Sequence, residues 1–413
     1  MKKTLLLLSI LIFQIGFSQQ RSCGKDAKMQ TLANDPVALQ NYINLQNQFE
    51  IELSNLQNQL NFVASPNVTI VIPVAVHFPS VSTTSTSKAC LRALAQSQIN
   101  ILNADYNAAN SDISNWTPSV SAFYPGTTTG NMDVQFVIAT QNHPAGTGLV
   151  AGSPAITFGT DYLGGSDNDA TWNGYVNLVC RDANGSLGYS PLGGTPNSGD
   201  TVVINFDCFG SGAGCTGYVP GAPFNLGRTL THELGHFFNV DHTFAGCTTA
   251  ANCATSGDRV CDTPASSSAT YNCPAAGATT KCQVKTLTMN YMDYTDDACM
   301  YMFSAGQVNR MKAYYNTISS QIKTNVLSST EFLSNNFSIV PNPNNGTFKI
   351  NLKEVLSDYS VEIFDVTGRN VFEKSYNNQD LEQSISLKGN AAGIYFINIK
   401  SQSAILTKKI IVE

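Results

Sequence analysis

The spacing of apolar residues changes several times along this chain, and each change marks a different kind of segment. After Lys2 and Lys3, an apolar run from Leu5 to Phe13 is followed by small and polar residues around Gly16 and Ser18. That is the layout of a secretory signal, with cleavage expected near Ser18. The run is shorter than the roughly 18 apolar residues a membrane-spanning helix needs, and no other stretch reaches that length, so no transmembrane segment is expected. Residues 19–66 are rich in Gln, Asn and Leu, with Leu45, Phe49, Leu53 and Leu60 at roughly helical spacing, which predicts a helical prosegment. The pattern then switches to the unbroken apolar run TIVIPVAVHF, a buried strand that opens the next domain. A helix from Leu91 to about Tyr106, with Leu94, Ile99 and Leu102 turned inward, and a strand from Met132 to Ala139 follow. Strand, helix and strand at this spacing predict an α/β or α+β sheet layer. Residues 140–225 are rich in Gly and Asn, with short strands expected at Tyr175–Val179 and Thr201–Phe206.

After about Leu327 cysteines cease and two-residue alternation begins: Phe348, Ile350 and Leu352; Val361 and Ile363; Tyr395, Ile397 and Ile399. Asn, Gly and Asp turns separate these runs, which predicts a small all-β sandwich over 335–413. The expected organisation is a signal at 1–18, a prosegment at 19–66, a main domain at 67–327 and the sandwich. No internal repeat interrupts it.

Composition narrows the function. With 23 basic and 29 acidic residues and only 13% charged, the chain has no basic field to hold nucleic acid. Eleven cysteines in an exported chain imply disulfides, and the odd count leaves at least one thiol over. Ten of them lie between Cys90 and Cys299, so Cys23, alone near the start, is the natural candidate.

The strongest chemical signal is HELGHFFNVDH at 232–242, which holds three of the five histidines. On a helix, His232 and His236 are four residues apart and project from one face, as two ligands of one metal require. His242 cannot share that face, because six further helical residues would rotate it by about 240° and carry it about 9 Å along the axis. The helix must therefore break between them, and Asn239 tolerates the left-handed conformation that ends helices. Three neutral imidazoles leave one coordination position open, the pattern of a catalytic zinc site. A water there would have its pKa lowered towards about 7, with Glu233 beside the first ligand to take its proton.

At these residues the chain resembles the metzincin clan of zinc metallopeptidases, and within it the pappalysin (cytophagalysin) family. Asn239 stands where the family pattern HExxHxxGxxH has glycine. IPVAVHF, QINILNADYNAAN, NLGRTLTHELGH, DRVCDTP and NYMDYTDDACMYMFSAGQVNRM extend the likeness over most of 69–320. The resemblance implies a twisted mixed sheet with an active-site helix and a disulfide-rich lower part. It makes Met292 the Met-turn floor beneath the histidines and Tyr294 a hydroxyl that stabilises the tetrahedral intermediate. It also suggests a structural calcium at Asp258, Asp262 and Thr263, and a pocket bordered by Asp296 and Asp297 that favours Arg or Lys after the scissile bond. The segment RSCGKD resembles a cysteine switch, in which the Cys23 thiolate caps the metal and keeps the enzyme latent. The last eighty or so residues, with IVPNPNNGTFKI, IFDVTGR, GIYFINI and KKIIVE, resemble the sorting domain of the type IX secretion system.

The expected protein is thus a secreted or cell-surface zinc endopeptidase, made latent, whose partners are peptide substrates and a secretion machinery. A non-catalytic zinc-containing adhesin or glycan binder, and a zinc hydrolase acting on a non-peptide bond, are the competing readings. Substrate identity, oligomeric state and disulfide connectivity are not legible.

Overall fold

The computed structural model describes residues 20–60, 70–82, 86–159, 169–324, 326, 337–352, 359–376, 382–401 and 405–413. The expected signal at 1–18 and both expected domain boundaries, at 66/67 and between 327 and 335, fall outside them. The long apolar run forms strand β1 (Ile70–Phe78), buried from Ile72 onward. A strand buried on both faces belongs in the middle of a covered sheet. Accordingly, β1 pairs in parallel with β2 (Val134–Ile138) and the short β3 (Ile156–Phe158) on one side and with β4 (Val176–Cys180) on the other. Beyond β4 come β6 (Thr201–Ile204), parallel to it, and the edge strand β5 (Gly188–Tyr189), antiparallel to β6. The sheet has six strands in the order β2-β1-β4-β6-β5, with β3 beside β1, so it is mixed.

Two helical segments precede this sheet: α1 (Lys25–Ala33) and α2 (Pro36–Leu60). Parallel neighbours need a crossover, and α3 (Lys88–Tyr106) supplies it between β1 and β2. It buries Leu91, Leu94, Ala95, Ile99, Leu102 and Tyr106, at the spacing of one helical face. A short α4 (Pro118–Ser121) follows, then α5 (Arg228–Phe237), which lies against β6 and α3, and α6 (Ala305–Ile318). The sequence pattern had not suggested α6. It begins at a capping box in which Ser304 accepts from the Gln307 backbone and the Gln307 side chain accepts from the Ser304 N–H.

Between α5 and α6 regular structure is nearly absent, apart from the hairpin of β7 (Thr280–Lys281) and β8 (Val284–Lys285). Cross-links replace ladders there: Cys247–Cys282, Cys253–Cys261 and Cys273–Cys299. A fourth disulfide, Cys90–Cys215, ties α3 to the loop after β6. Cys23 is a free thiol, as its isolation suggested, but Cys180 and Cys208 are also free and buried.

The carboxy-terminal strands form two antiparallel sheets, β13-β10-β9 and β12-β11-β14-β15. They comprise β9 (Phe337–Val340), β10 (Thr347–Leu352), β11 (Tyr359–Asp365), β12 (Asn370–Tyr376), β13 (Glu382–Ser386), β14 (Gly393–Ser401) and β15 (Ile405–Val412). Phe348, Ile350, Val361, Ile363, Ile397 and Ile399 fill a core of their own, the outcome expected from their alternation.

One buried charge cluster joins the elements around the site. Arg228, at the start of α5, donates to Asp105 of α3 at 2.7 Å, to Asp112 at 3.1 Å and to the Tyr291 hydroxyl. Removing the cation leaves Asp105 buried without its counter-charge. Arg228→Met is therefore expected to lower stability by about 3–5 kcal/mol, read as a lower midpoint in urea-induced unfolding; an unchanged midpoint would show that the cluster is dispensable.

Candidate metal centre

Every residue of α5 is buried, so its polar side chains must find partners inside the protein. His232 Nδ1 lies 2.6 Å from the Tyr291 carbonyl oxygen and His236 Nδ1 lies 2.7 Å from that of Val240. A carbonyl oxygen only accepts, so both Nδ1 atoms carry the hydrogen and both Nε2 atoms present lone pairs. The helix ends at Phe237 and Asn239 adopts φ 65°, the left-handed turn the sequence called for. The chain then doubles back and brings His242 Nε2 within 3.1 Å of His236 Nε2.

The Nε2 atom of His232 is buried and has no hydrogen-bond partner, an arrangement that is costly unless a cation takes the lone pair. Burial, reinforced for His232 and His242 by neighbouring imidazoles, lowers the pKa of all three rings, that of His236 to about 3. All three are thus neutral, as metal ligands must be. Nitrogens on a tetrahedral zinc stand about 3.3 Å apart, given Zn–N bonds of about 2.0–2.1 Å, so this donor set fits zinc. Cys23 Sγ joins the histidines, with all four donor atoms within 4.8 Å of one another. Among the described residues no other cluster of His, Cys, Asp or Glu is spaced to hold a metal.

Met292 is buried below α5; a Cβ on Gly235, just before the second histidine of the helix, would stand 2.6 Å from its sulfur. Glycine is therefore required there if the methionine is to lie against the helix. The Tyr294 ring stands 5.1 Å from the His242 ring and 5.7 Å from that of His232, and its hydroxyl accepts the Cys23 N–H at 3.1 Å. Glu233 is buried, which pushes its carboxyl up to about 8, and its Oε2 accepts the Cys23 thiol at 3.2 Å.

The amino-terminal segment enters this site as an added strand. Leu187 N–H donates to Ser22 and Gly24 N–H to Gly188, and Cys23 pairs in parallel with Gly188 of β5. Here again glycine is needed: a Cβ on Gly188 would come within 2.9 Å of Glu233 Cγ. Two residues before Cys23, the buried Arg21 guanidinium meets Asp297 at 2.5 Å, Thr229 Oγ1 at 3.1 Å and the Thr295 carbonyl at 3.1 Å, and lies over the Phe224 ring. Two residues after it, Lys25 meets Asp241 at 2.5 Å.

Of the two aspartates expected to border a pocket, Asp297 meets the Arg21 cation, while Asp296 precedes the short turn and makes no capping hydrogen bond to it with its side chain. Asp258 accepts from Thr263 at 2.5 Å, and Asp262 accepts from Ser304 at 2.6 Å and from the Gly306 N–H at 2.8 Å, which anchors the start of α6. The carboxylate oxygens of Asp258 and Asp262 are thus engaged with protein donors, and the Thr263 hydroxyl is one of those donors. Sequence reasoning missed Arg21, Lys25 and Asp241. The available signal was a cation two residues to either side of Cys23, which in an extended segment share its face.

A mixed sheet with a buried helix, a helix break and a third histidine returned over a methionine together define a metallopeptidase fold. Residues 172–316 match the family model described as pregnancy-associated plasma protein-A, and 338–413 match that of the secretion system C-terminal sorting domain. Mirolysin in complex with a small compound is 30% identical, covers 63% of this chain and 99% of its own, and has a TM-score of 0.50. A promirolysin variant of Tannerella forsythia is 27% identical, covers 72% of this chain and 93% of its own, with a TM-score of 0.50. An extracellular metalloprotease of Colletotrichum graminicola is 38% identical over 151 residues, 35% of this chain and 50% of the relative. The chain belongs to the pappalysin family of metallopeptidases. It spans about half the length of the curated relatives it matches. Its sorting domain marks it for secretion or display at the cell surface, and among the described residues no helix is long and apolar enough to cross a membrane.

If His242 completes the donor set, His242→Ala is expected to bind zinc substoichiometrically after exhaustive dialysis, as measured by elemental analysis. One zinc retained per chain would remove His242 from the set.

Proposed function

We propose that this chain is a zinc-dependent endopeptidase made as a latent precursor, with His232, His236 and His242 as metal ligands and Glu233 as general base. The observation that carries this reading is the chain's own amino-terminal segment lying across the histidine cluster, with the Cys23 sulfur beside the three imidazoles and in contact with Glu233. A segment held where a reacting group would sit makes sense if the site does chemistry that must be withheld. Bound zinc would polarise the scissile carbonyl and acidify a water.

The remaining steps belong to the protein. With Cys23 gone, Glu233 Oε2 is free to accept a proton from the attacking water and to pass it to the leaving amine. The Tyr294 hydroxyl, released from the Cys23 N–H, donates to the oxygen on which negative charge develops. The carbonyls of Tyr291 and Val240 keep the imidazoles from turning, and Met292 fills the space below them. The pocket occupied by Arg21, closed by Asp297 and roofed by Phe224, supports a preference for Arg or Lys immediately after the scissile bond.

Glu233→Gln removes the base but none of the proposed ligands. Its peptide hydrolysis is expected to fall by about 10²–10⁴-fold with zinc content unchanged, measured on the processed protein with and without a zinc chelator. Wild-type turnover in this variant would sink the mechanism. Cys23→Ala removes the sulfur and keeps the rest of the segment, so the precursor should process itself or cleave peptides without an added activator. A variant as silent as the wild-type precursor would mean that the segment blocks the cleft by bulk alone.

A further inference from the structure

The contacts of the amino-terminal segment are spread along α5: Arg21, in the Asp297 pocket, meets Thr229 at its start, Cys23 joins the histidines, and Lys25 meets Asp241 beyond its end. The first two are explained by the site already described; the third is not. Asp241 immediately precedes His242, and its Oδ1 accepts both the His242 N–H at 2.8 Å and the Lys25 ammonium at 2.5 Å. Lys25 is nearly buried in this contact, with 8% of its side chain exposed, while Asp241 keeps 26% even under the segment. Among the described residues Lys25 is the only cation within ion-pairing distance of Asp241.

Removal of the segment therefore leaves a part-exposed carboxylate next to a metal-site histidine with no ion-paired cation, Arg310 remaining only as a longer-range charge. The geometry points to Asp241 as a second acidic subsite, which selects a Lys or Arg side chain on the amino side of the scissile bond. This rests on the peptidase reading, in which the Asp297 pocket takes the residue after the bond; a subsite beyond the histidines, at the other end of α5, then precedes the bond. The argument concerns position along α5, so it holds whichever way the blocking segment runs. The substrate class that follows is a protein or peptide with basic residues flanking the cleaved bond on both sides. A carboxylate in a partly desolvated site attracts a cation and rejects an acidic side chain.

The test uses the full chain, activated by removal of its prosegment and loaded with zinc. Its substrates are fluorogenic peptides that carry Arg after the cleaved bond and Lys, norleucine or Glu at each of the two preceding positions. At one of these positions kcat/KM for Lys should exceed that for norleucine by about tenfold, with Glu lowest. In Asp241→Asn that ratio should fall to about one, while the preference for Arg over norleucine after the bond persists; Asp297→Asn should do the reverse. Binding gives a readout without turnover: a synthetic peptide of residues 20–33 should lose about tenfold in affinity on Lys25→Met when bound to the wild-type protein, and none when bound to Asp241→Asn. Equal rates for Lys and norleucine in the wild type, or an equal affinity loss in both proteins, would overturn the subsite and leave the peptidase reading standing. Failure to cleave any of the peptides would bring down both.

Discussion

The site depends on where helix α5 stops. Had it continued, His242 would lie about 9 Å further along the axis and on another face. The turn does more than reverse the chain: Asn239 N–H donates to His236 and Val240 N–H to Gly235, while the Val240 carbonyl accepts from His236 Nδ1. The residues that end the helix thus also fix the ring orientation of its last histidine. The turn is braced from outside as well, since Arg310 of α6 donates to the Asn239 carbonyl and Gln46 of α2 accepts from the Asn239 side chain. A non-glycine residue in the left-handed region is strained, and these five hydrogen bonds, three of them made by Asn239 itself, hold it there.

Those parts of the molecule governed by local rules were legible in the sequence. An unbroken apolar run located β1, helical spacing located α3, the run Met132–Ala139 located β2 to within a few residues, and two-residue alternation marked three sandwich strands, β10, β11 and β14. Ligand spacing together with a metal–nitrogen distance was enough to require the break at Asn239. Helix α6 escaped notice because polar residues dilute its apolar stripe, although Ser304 and Gln307 mark its start by capping. Asp296 and Asp297 could not be told apart because neighbours in a tight turn point in different directions, and only the fold decides which one meets a buried cation. Cysteine parity was a weak guide. It pointed correctly to Cys23, but it did not foretell that Cys180 and Cys208 would also be unbridged, since pairing depends on tertiary distance and not on count.

The amino-terminal segment is held by unlike forces at separate points. At the cleft it uses main-chain pairing with β5, a thiol, a buried ion pair at Arg21 and a part-buried one at Lys25. Away from the cleft it uses apolar packing: Phe49 of α2 lies 5.7 Å from the Tyr314 ring and 4.6 Å from the Arg310 guanidinium on α6, with Leu45, Leu53 and Leu56 beside it. The charged contacts supply register, because Arg21 meets Asp297 and Lys25 meets Asp241 at fixed points of the cleft, although Lys25 also reaches its neighbour Asp26. The apolar helix supplies area, which is less selective and less sensitive to salt.

Covalent continuity between α2 and β1 has a consequence of its own. While the chain is intact, the blocking residues meet the cleft at an effective concentration set by covalent attachment and not by the amount of protein in solution. Cutting the chain between Leu60 and Ile70 would alter none of the contacts around Cys23, Arg21 or Lys25. It would, however, make rebinding a bimolecular event governed by the bulk concentration of the released piece. Outside a cell that concentration falls without limit as the piece diffuses away, so a single hydrolysed bond acts as a ratchet driven by dilution.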